Sequence, residues 1–278
     1  MARSVAVRFG ILAFAVCALG LGPAAGPAGA EDATGSPGLA RIASSGTLRV
    51  GMSGSQPPLN FASKGGETVG LEVDLANALA DLMGADLQIV RKPFAELLGA
   101  LAAGQVDVVL SGVTATPERS QRVAFVGPYY LSGKAILTRS ARLAQLEDAA
   151  ALDQEKLTLA VLKGSTSEQF VRTRLPKAKL VTTDDYDEAV KLLLADEVAA
   201  VVADREVVAL SVFLHPKERL ASTRTTLTLE PIALAAPAGD PLLARYLDTA
   251  LSTLETSGVL SAIRARWLER GDWVEQLP

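Results

Sequence analysis

The chain has 278 residues, 21% of them charged, with 27 basic against 31 acidic side chains and a formal net charge of −4. That length holds one large domain or two small ones, and the lack of a basic run argues against nucleic acid as a partner. One cysteine, Cys17, and one histidine, His215, give little support to a zinc site or a histidine-based catalytic triad. No metal or cofactor is expected, and His215, before Pro216 and near charged residues, reads as a surface side chain.

Arg3 and Arg8 precede an apolar run over residues 9–21, and Ala28-Gly29-Ala30 offers a small-residue cleavage site. This order reads as a secretory signal, the run being too short and wrongly flanked for a membrane span. An uncleaved anchor helix is the other reading. Cleavage would make Glu31 the first mature residue. It would remove Cys17, whose preceding Phe14-Ala15-Val16 is a poor lipobox, and leave about 248 residues with a net charge of −6. The expected product is exported, soluble and monomeric, and residues 31–38 read as a loose leader.

Strand and helix patterns then alternate. Residues 48–52 read as a strand, 73–83 as a helix stopped by Gly84, 87–90 as a strand, 94–103 as a helix ended by Gly104, and 106–110 as a buried-type strand. The second half follows the same logic: strand 157–162, helix 167–175, strand 179–181, helix 187–195, strand 198–202. Such alternation implies α/β architecture with mostly parallel sheets flanked by helices. Phe94 aligns with Tyr186, Leu101 with Leu193 and Val106 with Val198, each at an offset of 92 residues, and in that register Gly112 aligns with Asp204. The other reading is a chance likeness of two amphipathic helix–strand units.

The stretch after the 106–110 strand carries the chemistry. In Ser111-Gly112-Val113-Thr114-Ala115-Thr116-Pro117-Glu118-Arg119, small residues let a ligand approach the backbone, Thr114 adds a hydroxyl and Arg119 a planar fork suited to a carboxylate. Ligands of open α/β sheets bind at that end of the strands. A solvated loop arginine is the alternative. If the halves are two lobes, Arg119 faces an anion, Asp204, across a cleft, and a zwitterion with a carboxylate and an ammonium is the simplest complement. Asp204 can equally be a plain helix N-cap before Arg205 and Glu206.

Gly46-Thr47-Leu48-Arg49-Val50-Gly51, Pro57-Pro58-Leu59-Asn60-Phe61, Gly70-Leu71-Glu72-Val73-Asp74-Leu75-Ala76, Thr116-Pro117-Glu118-Arg119, Phe125-Val126-Gly127-Pro128-Tyr129 and Leu162-Lys163-Gly164-Ser165-Thr166 occur in order. Together they resemble the family 3 bacterial extracellular solute-binding proteins, the periplasmic receptors of polar amino-acid ABC transporters. The resemblance covers residues 39–273. It implies two α/β lobes of the type II periplasmic binding protein class, joined by two hinge strands. The first lobe would be 39–134 with 233–278, the second 140–228, and the hinges 135–139 and 229–232.

By the same resemblance Arg119 would bind the ligand carboxylate, Gly112 and Thr114 would supply backbone and hydroxyl contacts, and Thr166 a second-lobe hydroxyl. Asp204 would take an ammonium, and Phe94 would touch the ligand. Two positions depart from the pattern: Ser53 stands where many members have an acid, and Gln56 where many have an aromatic. The expected ligand is therefore a polar amino acid, or an organic acid without an ammonium group. Asp74 is expected to be structural, and Phe61, Tyr129, Tyr130 and Trp267 to pack. The favoured function is capture of an amino acid for a membrane permease, with no bond broken. The rivals are a cyclohexadienyl dehydratase-like enzyme, in which Glu168 and Lys163 beside the second-lobe loop would serve, and a sensor for a signalling partner.

Overall fold

The computed structural model describes residues 35–146 and 148–277. The expected signal, its cleavage site and Cys17 lie outside them. Helix α1 (Pro37–Ser45) opens the described chain, with Ser36 accepting from Leu39 N as its N-cap and Pro37 at the first turn. Residues 36–38, expected in a loose leader, therefore start a helix. The Asp240 carboxylate accepts from Ser36 Oγ at 2.8 Å and from Gly38 N at 2.7 Å, fixing that start.

Strand β1 (Thr47–Met52) follows, then three short strands, β2 (Ser55–Gln56), β3 (Asn60–Ala62) and β4 (Thr68–Val69), that pair among themselves. Helix α2 (Leu71–Met83) leads to β5 (Asp86–Arg91), and a 3₁₀ turn, Phe94–Glu96, to α3 (Leu97–Ala102). The helix expected over 94–103 thus begins with a 3₁₀ turn, which continues directly into α3. Strands β6 (Val108–Val109) and β7 (Val123–Ser132) complete this part. The second sheet begins with β8 (Lys134–Thr138), followed by α4 (Ala141–Ala144), β9 (Thr158–Leu162), α5 (Thr166–Arg174), β10 (Lys179–Thr183), α6 (Tyr186–Leu194), β11 (Ala200–Asp204), α7 (Arg205–Leu214) and β12 (Ala221–Ser222). The chain returns through β13 (Glu230–Pro237) to α8 (Pro241–Thr256) and α9 (Val259–Arg264).

The two five-stranded sheets share one plan. Their orders are β5-β1-β6-β13-β7 and β10-β9-β11-β8-β12. In each, the first three strands run parallel, and the fourth and fifth each pair antiparallel with the strand before them. β6 and β11, the strands matched by the 92-residue offset, hold the same central place. Residues 135–138 of the expected first hinge lie inside β8, hydrogen-bonded to β11; the chain leaves the first sheet at Ser132 and enters the second at Lys134. Those residues are buried and apolar apart from Thr138, as an interior strand requires.

One apolar cluster packs α2, α8 and α9 on the first sheet and includes Phe61, Trp267 and Trp273 at ring separations of 5.6–6.0 Å. Trp267 Nε1 donates to Asp74 Oδ2 at 2.7 Å, so Asp74 does hold the fold. A second cluster runs from Phe94 and Leu97 through Ala135 and Ala160 to Tyr186, crossing between the sheets. His215, expected at the surface, is half-buried at the C-terminal end of α7.

Candidate ligand-binding site

The strand-end segments of the two sheets meet. Gly112 turns the chain after β6 with φ +61°, a left-handed backbone that glycine tolerates, and a methyl there would come within 2.5 Å of Gln56 Oε1. Its N–H is already engaged, donating to Glu72 Oε1 at 2.6 Å, so the expected backbone contact to a ligand cannot come from that nitrogen. Glu72 is fully buried in α2 and also accepts from Asn60 Nδ2 and the Tyr129 hydroxyl. Burial pushes its carboxyl above the ordinary range, against the pull of those three donors. Tyr129, expected only to pack, is thus part of the scaffold beneath the turn, with its hydroxyl raised by burial and by Glu72.

After Gly112, Thr114 bridges to Ile232, and Ala115 N donates to Pro231 O at 2.9 Å, which sets β13 against the turn. Arg119 folds back so that Nη1 donates to Thr114 O at 2.8 Å while Nη2 donates across to Gly164 O at 3.0 Å on the second sheet's loop. Its guanidinium carbon lies 5.8 Å from the centre of the Phe94 ring, within cation–π range. Both acceptors are neutral carbonyls; no ion pair among the described residues includes Arg119. Burial pulls Arg119 below its ordinary value, and the nearby charges of Glu230, Asp204 and Glu118 oppose that.

The second sheet supplies Thr166 at the start of α5, whose hydroxyl lies 3.3 Å from that of Thr114. Gly164 packs so closely that an added methyl would sit 3.0 Å from Ala95 Cβ. Gln169 Nε2 donates to Glu118 Oε2 at 2.8 Å on the same rim. Arg119, Thr114, Thr166 and Phe94 are therefore brought together by contacts between the sheets. Ser53 is half-buried nearby, its hydroxyl donating to Asn60 Oδ1 at 3.1 Å and its N–H to Ser111 Oγ at 2.9 Å. Glu168 accepts from Gly164 N at 2.7 Å and from Arg172, and Lys163 is exposed.

Asp204 gives the largest departure from expectation. It sits at the N-cap position of α7 with an extended backbone, yet its side chain makes no capping bond. Instead it accepts from Lys134 Nζ at 2.6 Å, its cross-strand partner in the β8–β11 pairing. Lys134 is 1% exposed, and Glu230 Oε2 lies 3.8 Å from the same nitrogen. Burial raises the Asp204 carboxyl, and the Lys134 charge draws it back. The free anion expected at Asp204 is thus already matched by an ammonium of the chain itself.

Lys134, Glu230 and Glu72 all escaped the reading of the sequence. The available signal was a charged residue at or beside the start of a buried apolar run: Lys134 before Ala135-Ile136-Leu137, Glu230 shortly before Ile232-Ala233-Leu234, and Glu72 within an apolar helix face.

The sequence profile of the bacterial extracellular solute-binding proteins, family 3, matches residues 48–270. The chain belongs to this family. A cyclohexadienyl dehydratase of Pseudomonas aeruginosa is 29% identical over 239 residues, spanning 83% of this chain and 86% of that protein. The L-cystine-binding protein TcyJ of Escherichia coli is 26% identical over 229 residues, 82% of this chain and 85% of its own. Among solved structures, the arginine-binding protein of T. maritima, as a P235GK mutant, superposes with a TM-score of 0.79 at 30% identity, covering 84% of this chain and all of that one. An ancestral amino-acid-binding protein, described as a precursor of cyclohexadienyl dehydratase, superposes with a TM-score of 0.75 at 31% identity, covering 82% and 98%. The fold is accordingly that of the type II periplasmic amino-acid-binding proteins.

Proposed function

We propose that this family member is a periplasmic binding protein that captures a small carboxylate, an amino acid or an organic acid, between its lobes and delivers it to an ABC transporter permease. The observation that carries the reading is Arg119: a half-buried planar cation between the sheets that hydrogen-bonds neutral carbonyls and forms no ion pair among the described residues. A guanidinium so placed offers paired donors to a carboxylate. Thr114 and Thr166 stand beside it as hydroxyl donors and Phe94 under its face; Ser53, Gln56 and Gly112 are the further first-lobe contacts in this reading. Family members that bind amino acids for transport support the reading.

A thermal-shift screen of the exported protein against amino acids and common organic acids tests it. A true ligand at 100 times its dissociation constant adds about 2.7 kcal/mol; a panel without any stabilising acid would refute the reading. N-terminal sequencing of exported protein should begin at Glu31, and retention of residues 9–21 would refute the cleavable signal.

The match to cyclohexadienyl dehydratase favours a second reading, an enzyme. The residues first suggested for it fit poorly. Glu168 is held by Gly164 N and Arg172, and Lys163 points its charge into solvent. Purified protein should leave prephenate and arogenate intact, and turnover of either would favour the enzyme.

A further inference from the structure

We infer that Lys134 stands where the ammonium of an amino acid would lie, so that the cleft selects an acid carrying an oxygen, not an ammonium, beside its carboxylate. The inference rests on the small-carboxylate reading above and sharpens its ligand class. An ammonium entering opposite Arg119 needs a buried anion. The family resemblance gives that role to Asp204, and Lys134 Nζ already donates to it at 2.6 Å. Glu230, the other carboxylate, has Oε2 within 3.8 Å of the same nitrogen and accepts from the Thr228 hydroxyl at Oε1, 2.9 Å away. A ligand ammonium using either acid would lie beside Lys134 in a shielded place, where like charges oppose one another.

A ligand oxygen meets the opposite situation. The lysine ammonium has three N–H donors, and among the described residues its one hydrogen bond goes to Asp204. Glu230 is at ion-pair distance but beyond hydrogen-bond reach. A 2-oxo or 2-hydroxy oxygen could take a remaining donor while Arg119 takes the carboxylate. Arg119 and Lys134 carry two positive charges against the two negative charges of Asp204 and Glu230, so the cluster is neutral before a ligand enters. Ser53, neutral where many family members have an acid, suits the same class.

Isothermal titration at neutral pH with matched sets, each a 2-amino, 2-oxo and 2-hydroxy acid of one side chain, tests this. The best-bound oxo or hydroxy acid should exceed its amino counterpart at least tenfold. Lys134→Met should weaken that acid at least tenfold and improve the amino acid, because Asp204 is released. Should that variant fail to fold, Lys134→Met combined with Asp204→Asn removes both charges, and it should lose the oxo acid without gaining the amino acid. A wild-type preference for the amino acid overturns the inference alone and leaves the small-carboxylate reading standing. So does an oxo-to-amino preference that is unchanged in the folded variants. Binding of no member of any set defeats the reading and the inference together.

Discussion

Arg119 and Gly112 make opposite demands on their neighbours. Arg119 hydrogen-bonds carbonyls of the chain, and under the proposed function its partner is a carboxylate from outside. Removing one side of a desolvated charge pair typically costs about 2–5 kcal/mol. Arg119→Ala should therefore weaken the bound acid at least tenfold while leaving the melting temperature of the unliganded protein nearly unchanged. Arg119→Lys should restore only part of the affinity, because a point charge does not reproduce the fork. Unchanged affinity in Arg119→Ala would remove the grip. Gly112 needs the absence of a side chain. At φ +61° an alanine costs about 1–2 kcal/mol, and its methyl would also displace Gln56. Gly112→Ala should lower the melting midpoint and the ligand affinity together, and parallel melts and titrations check both. The motif that contains these residues was legible from composition alone: glycine, threonine and arginine after a buried strand. The pairing of Asp204 with Lys134 was not, because 70 residues separate the partners and only strand register sets them opposite.

At the scale of elements, one carboxylate ties the start of the described chain to the N-terminus of α8. Asp240 caps α8 by accepting from Leu243 N at 3.0 Å and reaches back to Ser36 and Gly38 at the start of α1. Burial alone would raise its carboxyl, but the Leu243, Ser36 and Gly38 donors outweigh that and hold it below 3.8. A depressed value means that the stabilisation is fully present above the unfolded value near 3.8 and is lost as the pH falls through the lower folded one. Asp240→Ala should cost about 1–2 kcal/mol near pH 7. The gap between it and the wild type should narrow in acid, as urea melts across the range would record. A gap constant with pH would mean that the carboxylate charge contributes nothing. The alternation of strands and helices was readable because each central strand is a short apolar run closed by polar or glycine residues. The antiparallel strands β7, β8 and β13 were not placed in advance, since their role depends on crossing between sheets and not on local pattern.

For the molecule as a whole, the decisive feature is that the two strand-end surfaces touch. Thr114 Oγ1 and Thr166 Oγ1 are 3.3 Å apart, so cysteines at these positions would bring their sulfurs near one another. The described residues contain no cysteine, so the pair would be the sole thiols there. Oxidised Thr114→Cys/Thr166→Cys protein should be locked with the lobes together. It should take up added ligand far more slowly than the reduced form, with reduction restoring the rate in stopped-flow binding. Failure of the two thiols to couple under mild oxidant would contradict the observed approach of the lobes.

By itself the sequence determined the α/β class, the repeated helix–strand unit at 92 residues, the family, and the segment in which the carboxylate grip is proposed. These depend on local spacing and on motifs that a linear chain displays. The tertiary structure decided what each charge faces. It set Lys134 and Glu230 beside Asp204, buried Glu72 beneath Gly112, and left Arg119 without a carboxylate. Electrostatic partnership depends on distances across strands and lobes, and a buried charge is defined by what surrounds it in space rather than in order along the chain.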